Sequence, residues 1–229
     1  MRVNCRDFSA ELPLHLLRLI SPSQPVGGFS YSRGLESAVH AQIVHDEPTA
    51  TGWILGVLEH SYATLDGALF WRMMHALEQN DEAGFLKANA WLAAGRESKE
   101  LELEDRRMSE SLLRLLADLG VARAQAHAGT RLSYPASFAM ACSHWNILPP
   151  TALRGLMWSV VEGQVAAATR LVPLGHTASQ RILIASMPVI ERAAGKAMAV
   201  ADDDIGNVAP ALAMMSAWHE TQYSRLFRS

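Results

Sequence analysis

Ser30 sits in the run Gly28-Phe29-Ser30-Tyr31-Ser32, the nearest this sequence comes to a nucleophile elbow. That turn needs glycine where Ser32 stands and a strand ahead of it. Neither is offered, so Ser30 reads as a helix cap or a partner contact. Nine histidines invite a search for a metal, but no two have the H-x-x-x-H spacing that brings both imidazoles to one helix face. Cys142 and His144 are two apart and diverge on a helix, so ordinary core or surface roles are expected for both. Neither G-x-x-x-x-G-K-S/T nor G-x-G-x-x-G occurs, so the chain is expected to bind no nucleotide itself. Carboxylates crowd Arg96 to Arg107, but they alternate with Arg and Lys as on a solvated face, whereas a general acid and base need a concave site that excludes water. A solvated face is the first reading of that stretch and partner recognition the second.

The bulk properties narrow the partners. A formal net charge of -3 gives no basic field to attract phosphate backbones or anionic lipid, so neither nucleic acid nor a membrane is expected to bind. Cys5 and Cys142 form no Cys-x-x-Cys pair and cannot build a disulfide framework, which fits a reducing compartment. Glu11, Pro13, His15 and Arg18 interrupt the apolar runs at the N-terminus, and no later run is long enough to span a bilayer. The expectation is a soluble cytoplasmic protein. Its 229 residues suit a single domain, 1–229, large enough to bury its own core.

The elements that must position these residues are helices. Apolar residues recur at helical spacing and rarely alternate as strands require, so the fold is expected to be all-α, a single-domain bundle of about eight to ten helices. A short helix is predicted from Glu11 to Ile20, stopped by Pro22 and Pro25. A glycine-bearing loop follows, then a helix capped by Ser30 or Ser32 that runs towards Val44 and ends in His45 to Pro48. A pair of helices is expected over Thr51 to Gln79. A long surface helix follows Arg96, with Leu101, Met108, Leu112, Leu115 and Leu119 as its apolar stripe and its cap near Gly120. A buried helix between Thr130 and Ile147 should be closed by Pro149 and Pro150, with Thr151 capping Ala152 to Val172, whose Gly155 and Gly163 would admit a close neighbour. Thr177-x-x-Gln180 reads as a capping box for a helix that Pro188 bends or ends. The last helix begins near Pro210.

Four blocks together resemble the UreF family of urease accessory proteins. They are Ser21-Pro22-Ser23-Gln24-Pro25-Val26-Gly27-Gly28-Phe29-Ser30-Tyr31-Ser32-Arg33-Gly34-Leu35-Glu36, Arg96-Glu97-Ser98, Leu171-Val172-Pro173-Leu174-Gly175-His176-Thr177-Ala178-Ser179-Gln180-Arg181, and His219-Glu220-Thr221-Gln222-Tyr223-Ser224-Arg225-Leu226-Phe227-Arg228-Ser229. Their order and spacing cover the chain from about Leu16 to its last residue. The resemblance implies a non-catalytic, usually dimeric helical scaffold that bridges a UreD/UreH-type accessory protein and the UreG GTPase. Through that complex nickel reaches apo-urease, and this chain is expected to hold no resident cofactor and no metal site of its own. Arg33, Ser109 and Arg170 depart from the family pattern, where His or Gln, Gly, and Lys are common.

The interaction roles implied by the resemblance fall on Pro25, Gly27, Gly28, Ser30, Tyr31, Gly34 and Glu36, on Arg170, Pro173, Gly175 and Gln180, and on His219, Glu220, Arg225, Phe227 and Arg228. The glycines and Pro173 also have the simpler role of shaping turns. The tail, about 224–229, carries two cations and two apolar groups at an end that would otherwise fray, so it is expected to be ordered by docking onto the UreD-type partner. Packing on the protein's own core is the alternative. Arg170 could serve as an arginine finger, a role few exposed arginines play. Two rival readings are an enzyme with a buried small-molecule pocket and a direct nickel carrier built across a dimer axis.

Overall fold

The computed structural model describes residues 13–207 and 209–229. The parts of the first helix predicted before Pro13, and Cys5, lie outside the described residues. The helices are α1 (Leu14–Ile20), α2 (Leu35–His40), α3 (Glu47–Val57), α4 (Gly67–Glu78), α5 (Glu82–Ala94), α6 (Lys99–Asp118), α7 (Ala122–Ala126), α8 (Tyr134–His144), α9 (Pro149–Leu171), α10 (His176–Ala199) and α11 (Pro210–His219). A π-helical stretch, Leu58–Asp66, joins α3 to α4, so these eleven segments make ten separate helices among the described residues. The all-α expectation holds. No helix among them is long and apolar enough to cross a membrane.

One continuous apolar core runs from Leu16 to Phe227. Phe70, Phe85 and Phe138 are fully buried at its centre, where α4 packs on α5 and α8. The short connection from Val172 to Gly175 folds α10 back along α9, and Thr169 and Ser179 meet through their hydroxyls at 2.9 Å across that pair. Gly67 ends the π stretch for a steric reason. A Cβ there would lie 2.6 Å from the Tyr62 carbonyl oxygen and 2.8 Å from the Met157 methyl, so only glycine allows this approach.

Several predicted boundaries shift, mostly because prolines read as stops are starts. Pro48 and Pro149 with Pro150 lie in the first turns of α3 and α9, where a missing N–H costs no intrahelical bond. Asp46, whose side chain accepts from Thr49 N at 2.9 Å, caps α3 in a capping box. Thr151 lies inside α9 and caps nothing. Gly175 is the N-cap of α10 without any side-chain bond, so Thr177 and Gln180 form no capping box, and α10 runs through Pro188. Gly155 does admit a neighbour, since a Cβ there would sit 2.6 Å from Leu16, whereas Gly163 faces open space.

Candidate functional site

Three parts of the chain that are distant in sequence meet in one polar corner: the loop 21–36, the first half of α6, and the segment after α11. Gly34 makes the corner possible. Its φ of 76° is in the left-handed region, and a Cβ would come within 3.0 Å of Ser216 N on α11. Ser98 caps α6 by accepting from Leu101 N at 3.1 Å, and its hydroxyl also meets that of Ser216 at 2.6 Å. The starts of α2 and α6 are thereby pinned to the same face of α11.

Between them His219 is wholly buried. Its Nδ1 lies 2.7 Å from Glu100 Oε2 and its Nε2 lies 3.1 Å from Glu36 Oε2. The same two carboxylates hold the tail. Glu36 accepts the N–H groups of Leu226 at 2.6 Å and Phe227 at 2.8 Å, and the other oxygen of Glu100 accepts from Arg225 Nη1 at 2.8 Å. Main-chain pairing extends the attachment, with Arg228 N donating to Ser30 O at 2.8 Å and Ser32 N donating to Ser229 O at 2.7 Å. The Ser32 hydroxyl donates to Ser229 O as well and accepts from Glu36 N at 3.2 Å, but the N-cap of α2 is Gly34, so neither Ser30 nor Ser32 takes the capping position. Ser229 Oγ donates to Glu104 at 2.8 Å.

In this structure the tail takes the alternative arrangement, packing on its own chain. Phe227 and Ser229 are buried within their own chain, and the Arg170 guanidinium lies 4.6 Å over the Phe227 ring. The reason is local: the tail's main-chain polar groups find partners in Glu36, Ser30 and Ser32, which sequence reasoning treated as a separate surface.

A second buried network lies beside the first. Arg96 reaches Asp66 at 2.6 Å and 3.1 Å and Asp105 at 2.7 Å, and Arg33 approaches Glu104 at 3.4 Å while its guanidinium lies 5.2 Å over Tyr62. Burial raises the Asp66 carboxyl, but Arg96, helped by Arg33, outweighs it and holds Asp66 below its ordinary range. For Asp105 and Glu104 burial wins, and both are pushed up despite Arg96 and Arg33 respectively. Burial opposes the charge on Arg96, and Asp105 and Asp66 more than offset it. The stretch read as a solvated face therefore has a buried side. The missed signal was the stripe itself: Asp105 is four residues from Leu101 and three from Met108, in register with the apolar positions.

Beside these networks a cavity of about 180 Å³ is bounded by Ile20, Val26, Met108, Val160, Ala167 and Phe227. Arg33 and Gln164 line it too. Gln164 Nε2 donates to Ser32 O at 2.9 Å, and its buried Oε1 has no partner among the described residues.

Of the residues singled out in sequence, Ser30, Gly34, Glu36, His219, Arg225, Phe227 and Arg228 are brought together here, with Arg170 joining through Phe227. Tyr31 is buried beside them, and Gly27, in the left-handed region at φ 75°, shapes the turn into Gly28–Ser30 after the exposed Pro25. Glu220 accepts from Lys99 N at 2.9 Å. Pro173, Gly175 and Gln180 are exposed, and among the described residues they share no hydrogen bond with the loop or tail. Ser32, Arg33, Asp66, Arg96, Glu100, Glu104, Asp105 and Gln164 were missed as members of the cluster. No group of three His, Cys, Asp or Glu side chains among the described residues could hold a metal ion.

The fold and this corner define a class, an all-α protein whose charged interior binds the chain to itself. The sequence matches the UreF family model over residues 44–187. It is 67% identical over 223 residues to the urease accessory protein UreF 2 of Brucella anthropi, covering 96% of this chain and 98% of that one. Identity is 39% over 216 residues with UreF of Hahella chejuensis, covering 94% and 97%, and 40% over 215 residues with UreF of Alkalilimnicola ehrlichii, covering 93% and 94%. The chain belongs to the UreF family of urease accessory proteins.

Proposed function

We propose that this chain serves urease maturation as a non-catalytic scaffold. As a homodimer in the cytoplasm it bridges a UreD/UreH-type accessory protein and the UreG GTPase and modulates the GTP-dependent delivery of nickel to apo-urease. Nickel is cargo of the complex on this reading and not a resident group of this chain. The observation that carries the reading is the family relationship over nearly the full chain. The corner supports it by offering a contact face: Trp218, Tyr223 and Leu226 are exposed large side chains next to the anchored tail. Solvent-facing aromatic and aliphatic groups on an ordered support suit burial against a protein partner.

The test is co-purification of the tagged chain with its UreD-type and UreG-type partners, with stoichiometry read by light scattering. A stable complex of all three is expected, and a chain that stays alone at every salt concentration would refute the scaffold role. Deleting the tail is a poor probe, because it would also strip Glu36 and Ser32 of their partners. Leu226→Asp and Tyr223→Ala keep the tail's main-chain bonds and should weaken the complex without lowering helix content. Arg170→Ala should leave GTP hydrolysis by the GTPase unchanged, since the guanidinium is engaged on Phe227.

A further inference from the structure

We infer that the shallow groove between the loop 25–31 and the outer face of α6 docks an acidic segment of a protein partner, with carboxylates on Arg107 and Arg114 and an apolar side chain on Phe29. The inference rests on the scaffold reading, since the segment belongs to one of the proteins this chain is proposed to bridge.

Two walls make the groove. Arg107, Glu110, Ser111 and Arg114 line one side at spacing i, i+3, i+4 and i+7, so they share one face of α6. Pro25 and Phe29 of the loop line the other. The loop is held against the helix at Met108, whose methyl would lie 3.4 Å from a Cβ on Gly28, and the space enclosed is about 500 Å³.

Its charge is what selects the occupant. Arg107 and Arg114 are exposed, and among the described residues neither guanidinium has an ion pair or a hydrogen bond. Arg106 between them and the core differs: it lies 3.8 Å from Glu102 and 3.7 Å from Glu110, which occupies the acid that lines the groove. The chain as a whole carries a net charge of -3, so the groove is a local basic exception. Phe29 is 75% exposed on the ordered turn Gly28–Ser30. Unpaired arginines beside an exposed aromatic ring have the composition of a binding hot spot.

The spacing narrows the segment further. Seven residues of α-helix set the two arginines about 10.5 Å apart along the axis, a span that an extended peptide covers in about three residues. The segment should therefore carry two carboxylates about three residues apart with an apolar side chain nearby. Two cations neutralise too few phosphates to hold a nucleic acid at physiological salt, and one exposed ring offers too little apolar area to hold a membrane. Arg228 also lines the groove, but the site does not depend on it, because its two arginines and Phe29 belong to α6 and the loop.

The test is co-purification of the full-length tagged chain with its partners at physiological salt, unmodified and as the double variant Arg107→Glu/Arg114→Glu. Recovery of one partner should fall about tenfold or more in the double variant, and Phe29→Ser should act in the same direction. Helix content by circular dichroism should not change, since all three side chains are exposed. Lys87→Glu/Arg131→Glu makes the same change of net charge at exposed positions outside the groove and should retain both partners. Arg107→Gln/Arg114→Gln removes the attraction without adding repulsion and should show a smaller loss; it decides the matter if the charge-reversed chain fails to fold. Groove variants that recover both partners as well as the unmodified chain does would overturn the inference and leave the scaffold reading intact, as would an equal loss in the Lys87→Glu/Arg131→Glu control. An unmodified chain that recovers no partner would sink both. Groove variants that keep both partners but lose binding to inorganic phosphate or to anionic vesicles would give the groove to another occupant and overturn the inference too.

Discussion

Glu36 and His219 are 183 positions apart in sequence and 3.1 Å apart in space. That contact closes the chain on itself, since Glu36 lies at the start of α2 and His219 ends α11. Glu36→Ala should cost about 3 kcal/mol of unfolding free energy, because it strands two main-chain N–H groups and takes a partner from the buried His219 ring. Glu36→Gln, which keeps one acceptor, should cost less. Urea denaturation of both variants at neutral pH checks the order.

Arg96 compensates two buried carboxylates at once, so Arg96→Met should destabilise by about 3–5 kcal/mol. The double variant with Asp66→Asn should recover part of that loss, because the stranded charge is removed with its partner. Equal destabilisation in single and double variants would show the pairing to be dispensable.

Acid titration should show two opposed phases. Glu104 and Asp105 are raised in the folded state, so folding takes up protons between their raised values and the ordinary 4.5 and 3.8, and stability rises as pH falls through that window. Asp66 is lowered, so its contribution is present above the ordinary 3.8 and is lost as pH falls further towards its depressed value. Urea midpoints from pH 7 to 3 should pass through a maximum, and Asp66→Asn should flatten the acid limb.

Gly67 and Gly163 should answer the same substitution oppositely. Gly67→Ala pushes a methyl against the Tyr62 carbonyl and Met157 and should cost about 1–3 kcal/mol. Gly163→Ala enters open space within α9 and should gain up to about 1 kcal/mol from helix propensity. Thermal melts of the two variants distinguish them.

Ser109 is 1% exposed on α6, and its hydroxyl has no hydrogen-bond partner among the described residues. Ser109→Ala removes an unsatisfied buried group at little change of volume and should stabilise by about 1 kcal/mol. A lower melting temperature would mean the hydroxyl is satisfied by water.

Helical periodicity, being a local property, made the fold class legible in sequence, along with the cap of α6 near Gly120 and the start of α11 at Pro210. Glu36, His219, Arg225 and Phe227 could be singled out, but only as separate surfaces. Their meeting depends on Gly34 seating α2 against α11, a contact between segments about 180 residues apart that no local pattern encodes. Prolines were ambiguous for a related reason: a missing N–H suits both the residue after a helix and its first turn, and neighbouring caps such as Asp46 settle which. The charges of α6 show the division most clearly. Their sequence reveals alternating acids and bases, but which side meets water depends on what packs there, because a carboxylate can be buried only where the fold brings it an arginine, a histidine or a main-chain N–H.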